Sequence, residues 1–207
     1  EDGVARGVAY RVGNERREAR AAREVVLCAG TFNSPTILQR SGIGPAGLLR
    51  EHGIPVLHDA PAVGANLQNH FRASVVVRCA QPVTHNDTMA SLPRRIGMAL
   101  RYALFRDGPM AAGTYAGGFF RTPGASRPDM QVTFWTYSVE RRDAGGVVLH
   151  DFPGFTANAV ILQPTSLGTV HLRGPAADEA PAIRYHHLQT GEDARSMVAA
   201  LKSLRDI

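Results

Sequence analysis

The chain has 207 residues, 44% of them hydrophobic and 20% charged, the composition of a globular protein with one large core or two smaller ones and not of a disordered tail. No apolar run reaches the length of a membrane span, and the opening EDGVARGVAY lacks the basic-then-apolar plan of a signal peptide. The formal charge of +5 comes from arginines spread along the whole chain, with only short pairs such as Arg16-Arg17, Arg94-Arg95 and Arg141-Arg142; the excess reads as solvated surface and argues against a nucleic-acid partner.

In chain order, residues 4–29 read as a hairpin, with VARGVAYRV and EARAAREVVLCAG flanking the turn-like GNERR. The β-branched run REVVLCAG predicts a strand buried on both faces. A short helix follows, with Ser34 as N-cap, Pro35 at the first helical position, Ile37, Leu38 and Ser41 on nearby faces, and Gly42 as the left-handed residue that closes it. A strand turning through small residues onto a helix N-terminus offers backbone N–H groups and little bulk. That suits a phosphate or a flat cofactor, and it equally describes an ordinary β-to-α connection. A second helix is PAGLLREHG, with Pro45 at its start and Gly53 past its end. IPVLHDAPAVGANLQNHF reads as a strand and a long ordered loop, which sets a domain boundary between residues 1–71 and residues 72–207.

Beyond residue 72, RASVVVRCA, GGFFRT, DMQVTFWTYSV, FTANAVILQP, LGTVHLRG and AIRYHHL are strand candidates, and LPRRIGMALRYALF is helical. The expected fold class is α+β, a mixed or antiparallel sheet backed by helices. From Thr190 as N-cap, a last helix places Ala194, Met197, Val198, Leu201 and Leu204 on one stripe. That helix runs to the chain end without a cap, and the buried strand at 23–29 needs neighbours that no other segment supplies, so an internal fragment of a longer polypeptide is expected.

Cys28 and Cys79 lie in apolar, strand-like stretches without CxxC spacing, which predicts two reduced, buried thiols and a reducing compartment. No zinc spacing, paired carboxylate or Ser-His-Asp order stands out, so no metal is expected. His186 and His187 are adjacent on a predicted strand and point to opposite faces, which excludes a joint metal site or dyad. His70, beside Asn66, Gln68 and Asn69, either reaches a cofactor or satisfies a loop hydrogen bond. In FWTY, Phe134 and Thr136 face one way while Trp135 and Tyr137 face the other. One pair could line an aromatic pocket for a quaternary ammonium group, and core packing explains the same residues.

Residues 30–44, GTFNSPTILQRSGIG, resemble the second signature of the glucose-methanol-choline (GMC) oxidoreductases. Gly30, Thr31, the Ser34-Pro35 pair, the Ile37-Leu38 pair and Ser41-Gly42-Ile43-Gly44 fall in register with it. GIPVLHDAPAVGANLQNH, QPTSLGTVHLRG and APAIRYHHL resemble later family segments, nearest to the choline dehydrogenase-like bacterial enzymes. The family usually has an acidic residue where this chain has Asn69 and an arginine where it has Leu167. The resemblance implies an FAD-dependent dehydrogenase or oxidase acting on the CH–OH group of choline or another primary alcohol, with hydride passing to flavin N5. It implies that residues 1–71 are a partial FAD-binding-domain segment and 72–207 the substrate-binding domain. It places Ala29, Gly30, Thr31, Asn33, Ser34, Asn66 and His70 at the cofactor, with Trp135 and Tyr137 as substrate contacts. The dinucleotide fingerprint has no counterpart here and the catalytic histidine is expected beyond Ile207, so the chain alone is expected to be inactive and without FAD. A cytoplasmic setting is implied, peripheral to a membrane at most through an electron acceptor. An exposed apolar face around Val25, Val26, Leu27 and Ile37 is expected, to be covered by self-association or left disordered. The other class left open is a free-standing binding or interaction module that reuses the same sheet.

Overall fold

The computed structural model describes residues 3–111, 114 and 116–206. In chain order its elements are β1 (Gly7–Val12), β2 (Glu15–Arg20), α1 (Gly30–Arg40), β3 (Ile43–Gly44), α2 (Ala46–Glu51), β4 (His58–Asp59), β5 (Arg72–Arg78), α3 (His85–Ala90) and α4 (Leu92–Phe105). There follow β6 (Ala116–Phe120), β7 (Met130–Trp135), β8 (Val139–Asp143), β9 (Gly146–Leu149), β10 (Gly154–Ile161), β11 (Thr169–His171), β12 (Ala182–Arg184) and α5 (Gly191–Arg205). They gather into two units, Glu1–Gln68 with Leu167–His186, and Asn69–Ser166 with His187–Ile207. A single cut after residue 71 therefore leaves out one feature: β11 and β12 return to the first unit.

In the first unit, β1 and β2 pair from Gly7 opposite Arg20 to Val12 opposite Glu15, closed by a turn in which Gly13 takes a φ of 60°. The expected buried strand at 23–29 is not formed. Among the described residues no strand pairs with this segment, its residues alternate between half-buried and exposed, and Cys28 is exposed. A β-branched run becomes a core strand only when neighbours complete its hydrogen-bond ladder, and none does so here.

The helix after it starts earlier than Ser34-Pro35 suggests. Its N-cap is Ala29 and Pro35 lies inside it, where the missing N–H has nothing to give the Thr31 carbonyl. Gly42, with a φ of 84°, ends it as expected. The buried residues of α1 are the polar Thr36 and Gln39. Gln39 Nε2 donates to the carbonyls of Val63 (3.1 Å) and Val170 (3.2 Å), and its Oε1 accepts the Leu172 N–H (2.8 Å). One fully buried side chain thus ties α1 to the loop after β4 and to the β11 strand. Beside it, α2 runs from Pro45 as N-cap, β3 and β4 pair in parallel, and Leu49, Ile54 and Leu172 make a small apolar core.

The second unit is built on an antiparallel sheet ordered β5-β10-β7-β6. Its central strand, β10, is buried along nearly its whole length. One side carries Met130, Val132, Ala157, Ala159 and Ile161, which pack with Met197, Ala200 and Leu204 of α5; burying such a side chain contributes about 1.5–3 kcal/mol for the larger ones. Thr190 caps α5 as expected, accepting the Asp193 N–H at 3.3 Å. The buried stripe is Asp193, Met197, Ala200 and Leu204, and Val198, expected on it, is 53% exposed. The stripe turned because a polar residue, Asp193, takes the buried position in the first turn.

Two features were not read from the sequence. DMQVTFWTYSV is not one strand: β7 ends at Trp135 and β8 begins at Val139, opening a hairpin with β9. Between them Ser138 is buried, its N–H given to Asn86 Oδ1 (2.9 Å) and its carbonyl accepting from Asn86 Nδ2 (3.0 Å). Asn86 sits on the unforeseen helix α3, which starts with a reciprocal capping box between Thr84 and Asp87. The helix α4 follows expectation but has no buried residue, and Leu92, Ile96, Leu100, Leu104 and Phe105 are all more than half exposed.

Candidate functional site

Two groups of residues carry the chemistry that the sequence points to, one in each unit. In the first unit, Ala29, Gly30, Thr31, Asn33 and Ser34 come together at the start of α1. The N-cap Ala29 offers no side-chain acceptor, so the first-turn N–H groups have no cap from it, and Gly30, Thr31 and Asn33 are exposed. Ser34 does not cap the helix; its Oγ accepts the Ala29 N–H at 3.1 Å. The Thr36 hydroxyl donates back to the carbonyls of Asn33 (2.9 Å) and Phe32 (3.2 Å), holding the turn. Gly30 has a φ of 80°, so the backbone itself demands glycine there, and an added Cβ would meet no heavy atom within 4 Å. Uncapped donors beside open space fit the oxygen-rich edge of a cofactor such as FAD. Asn66, also with a left-handed backbone (φ 58°), is exposed in the loop before Leu67, which pairs with Gly168.

His70 belongs to the second unit. Its Nδ1 lies 2.7 Å from the Ile161 carbonyl, and since a carbonyl only accepts, Nδ1 carries the hydrogen and donates it. Of the two readings open for His70, the loop hydrogen bond is formed. His186 and His187 do not lie on a strand, because β12 ends at Arg184. His186 has a φ of 52° and its Nδ1 meets the Leu167 carbonyl at 3.2 Å, while the His187 ring lies 5.3 Å from that of Phe71.

The second group lies on the side of the four-stranded sheet opposite α5. Phe134 packs into the core, and Trp135 stacks on Tyr137 with ring centres 5.5 Å apart and planes at 15°. The stack continues at both ends. The Arg72 guanidinium is 4.7 Å from the Trp135 ring centre, and the His85 ring stacks on Tyr137 at 6.4 Å. His85 also meets the Thr136 hydroxyl at 3.2 Å, and burial holds its pKa below the usual histidine value, which favours the neutral ring at pH 7. On the same side, Asn158 is fully buried on β10, its Oδ1 accepting from Ser74 Oγ at 2.7 Å. By the registers of the four strands, the outward positions of this side carry Arg72 and Arg78 and no carboxylate. Among the described residues no group of three or more His, Cys, Asp and Glu could hold a metal ion, and no helix is long and apolar enough to cross a membrane.

Arg72, His85, Asn158 and Gln39 were not singled out from the sequence. Arg72 and Ser74 did leave a signal, the polar positions alternating with apolar ones in RASVVVR. The others depend on neighbours distant in the chain.

These groups sit on sequence and backbone of one known class. Residues 1–72 match the family model for GMC oxidoreductase. An oxygen-dependent choline dehydrogenase of Ectopseudomonas mendocina is 35% identical over 207 residues, which is 98% of this chain and 36% of that protein. The crystal structure of pyridoxine 4-oxidase from Mesorbium loti superposes with a TM-score of 0.75 at 26% identity, covering 99% of this chain and 36% of that one. An Aspergillus oryzae formate oxidase studied for modification of its FAD has the same fold, with a TM-score of 0.82 at 22% identity, 99% of this chain and 40% of that one. The chain is similar in sequence and fold to GMC oxidoreductases along nearly its whole length. It spans about a third of the length of the curated relatives it matches.

Proposed function

We propose that this chain is part of an FAD-dependent oxidoreductase that acts on the CH–OH group of a small alcohol, the first unit contributing to the cofactor site and the second to the alcohol site. The observation that carries the reading is the start of α1, where the signature residues 30–34 form an uncapped, exposed helix turn with a left-handed glycine and open space beside it.

When bound, FAD supplies a hydride acceptor at N5. The backbone N–H groups of Gly30 to Asn33 would donate to it, Gly30 would leave room for close approach, and Asn66 would add a polar contact. Trp135 and Tyr137 supply flat walls that orient the alcohol, and Asn158 with Ser74 keeps the strand beneath them rigid. On this reading neither His70 nor His85 is the group that takes the alcohol proton. His70 is committed through Nδ1, and His85 is stacked on Tyr137 and hydrogen-bonded to Thr136. On this reading the 207-residue chain by itself should be inactive and colourless, and an activity assay and an absorption spectrum of the purified chain check this.

In the full-length protein, a primary alcohol added without oxygen should bleach the flavin absorption near 450 nm; a full-length protein that purifies without flavin would overturn the reading. Position 31 supplies a finer test, because Thr31 is exposed and its backbone is ordinary helix. Thr31→Leu should weaken FAD retention at least tenfold and leave the melting temperature of the flavin-free protein unchanged. Equal losses in both forms would mean that Thr31 only packs.

A non-catalytic interaction module is the second reading, favoured by the apolar residues that α4 leaves uncovered. Those residues and the half-exposed Ile37 are also where self-association of the isolated chain would start.

A further inference from the structure

We infer that the alcohol bound on the open side of the sheet carries a carboxylate, and that Arg72 is the residue that selects it over an alcohol carrying a quaternary ammonium group. The inference rests on the reading of that side as the alcohol site and adds the charge of the substrate.

An aromatic wall attracts a quaternary ammonium through its ring face. Here the face of Trp135 already serves a cation, with the Arg72 guanidinium 4.7 Å from its ring centre, and Tyr137 stacks on the same indole. A second cation would have to displace Arg72 or sit beside it, and like charges at contact distance repel. The strands of this sheet supply no carboxylate to offset this. The outward positions of β5, β10, β7 and β6 hold none, and Arg78, at the other end of β5, adds a second positive charge. Asp87, on the neighbouring α3, is occupied by the N–H and hydroxyl of Thr84, at 3.0 and 2.8 Å.

Arg72 itself is exposed, and among the described residues no carboxylate pairs with it. Its position over the indole fixes the guanidinium plane and leaves its N–H edges for a ligand. Those edges match the two oxygens of a carboxylate, whereas an ammonium finds no acceptor there. The Trp135–Tyr137 stack then holds the hydrocarbon part of the alcohol, with its hydroxyl at the end away from Arg72.

Trp135 is the single tryptophan of the chain, so its emission reports on this site. The 207-residue chain is titrated at constant ionic strength with 4-hydroxybutyrate, choline and 1-pentanol. A saturable change with 4-hydroxybutyrate is expected at a concentration at least tenfold below that for choline. Arg72→Leu should abolish this preference and Arg72→Lys should restore part of it, with circular dichroism confirming that both variants keep the fold. A response that favours choline, or that is indifferent to Arg72→Leu, overturns the inference.

The full-length flavoprotein separates this inference from the reading it rests on. If alcohols reduce the flavin but the ratio of kcat/KM for 4-hydroxybutyrate and 1-pentanol does not change in Arg72→Leu, the charge assignment fails and the oxidoreductase stands. If the fluorescence preference depends on Arg72 but no alcohol reduces the flavin, the carboxylate site stands and the oxidoreductase reading fails.

Discussion

Gln39→Leu should lower the stability of the first unit by roughly 3 kcal/mol, because it strands the buried Val170 carbonyl and Leu172 N–H, at about 1–3 kcal/mol for each group, together with the half-buried Val63 carbonyl. Leucine matches glutamine closely in volume, so the loss reports on hydrogen bonding and not on a cavity. Gly64→Ala should act at the same place by another route. Gly64 has a φ of 85°, and its added Cβ would overlap the Val170 carbonyl and crowd Gln39 Nε2. Since the two changes break one arrangement, their effects should fall well short of additive in the double variant. Denaturant unfolding followed by circular dichroism measures all three. A Gln39→Leu protein within 1 kcal/mol of the parent, or strictly additive effects, would show that the amide is not what joins α1 to β11.

The second large effect depends on pH. The Asp193 carboxylate is buried at the first turn of α5. Its Oδ1 accepts from the N–H (2.9 Å) and hydroxyl (2.8 Å) of Thr165, and its Oδ2 accepts the Ser166 N–H (2.9 Å). Burial pushes its pKa up, but the hydrogen bonds from Ser166 and Thr165 outweigh burial and hold it below the ordinary aspartate value of 3.8. A depressed carboxylate stabilises the fold above its unfolded pKa, and that contribution disappears as the pH falls through the folded value. Asp193→Asn keeps the shape but turns an amide nitrogen toward an N–H donor. It should cost about 1.5–3 kcal/mol near pH 7, the usual worth of a charged hydrogen bond. The difference from the parent should shrink below pH 4, where the parent's own carboxyl takes a proton. Unfolding curves at pH 7, 5 and 3 test this, and a gap that stays constant across them would mean that Asp193 acts by packing alone.

What the sequence made legible follows from how local each signal is. The turn glycines of the signature, the Pro45 and Gly53 limits of α2, the span of α4 and the Thr190 cap are written in neighbouring residues, and they stand in the structure where the sequence puts them. The shared side of Trp135 and Tyr137 was also legible, since alternation survives even though β7 stops at Trp135. The run at 23–29 misled because β-branched composition reports what a segment prefers and not whether partners reach it. Ser34-Pro35 misled in a different way. The pair has the chemistry of a helix start, but a left-handed Gly30 opens the helix earlier and frees the Ser34 hydroxyl to take the Ala29 N–H. Gln39 was out of reach because its partners follow 24, 131 and 133 residues later. The contact between Arg72 and Trp135 was hidden for the same reason, as it requires knowing that β10 lies between β5 and β7.

The return of β11 and β12 to the first unit sets a timetable during synthesis. At about 5–20 residues per second, Gln39 leaves the ribosome roughly 7 to 27 seconds before Leu172, whose N–H it accepts 133 positions later. In that interval α1 has an amide with no strand to hold, and the small cluster of Leu49 and Ile54 waits for Leu172. Meanwhile β5, β6, β7 and β10 are all present before β11 is made, but α5, which packs on the core side of their sheet, comes later still. Neither unit is therefore closed until late: the first waits for β11 and β12 and the second for α5, and a ribosome stalled before residue 170 should release a product in which both cores lack a partner, the form most exposed to proteases and to chaperones.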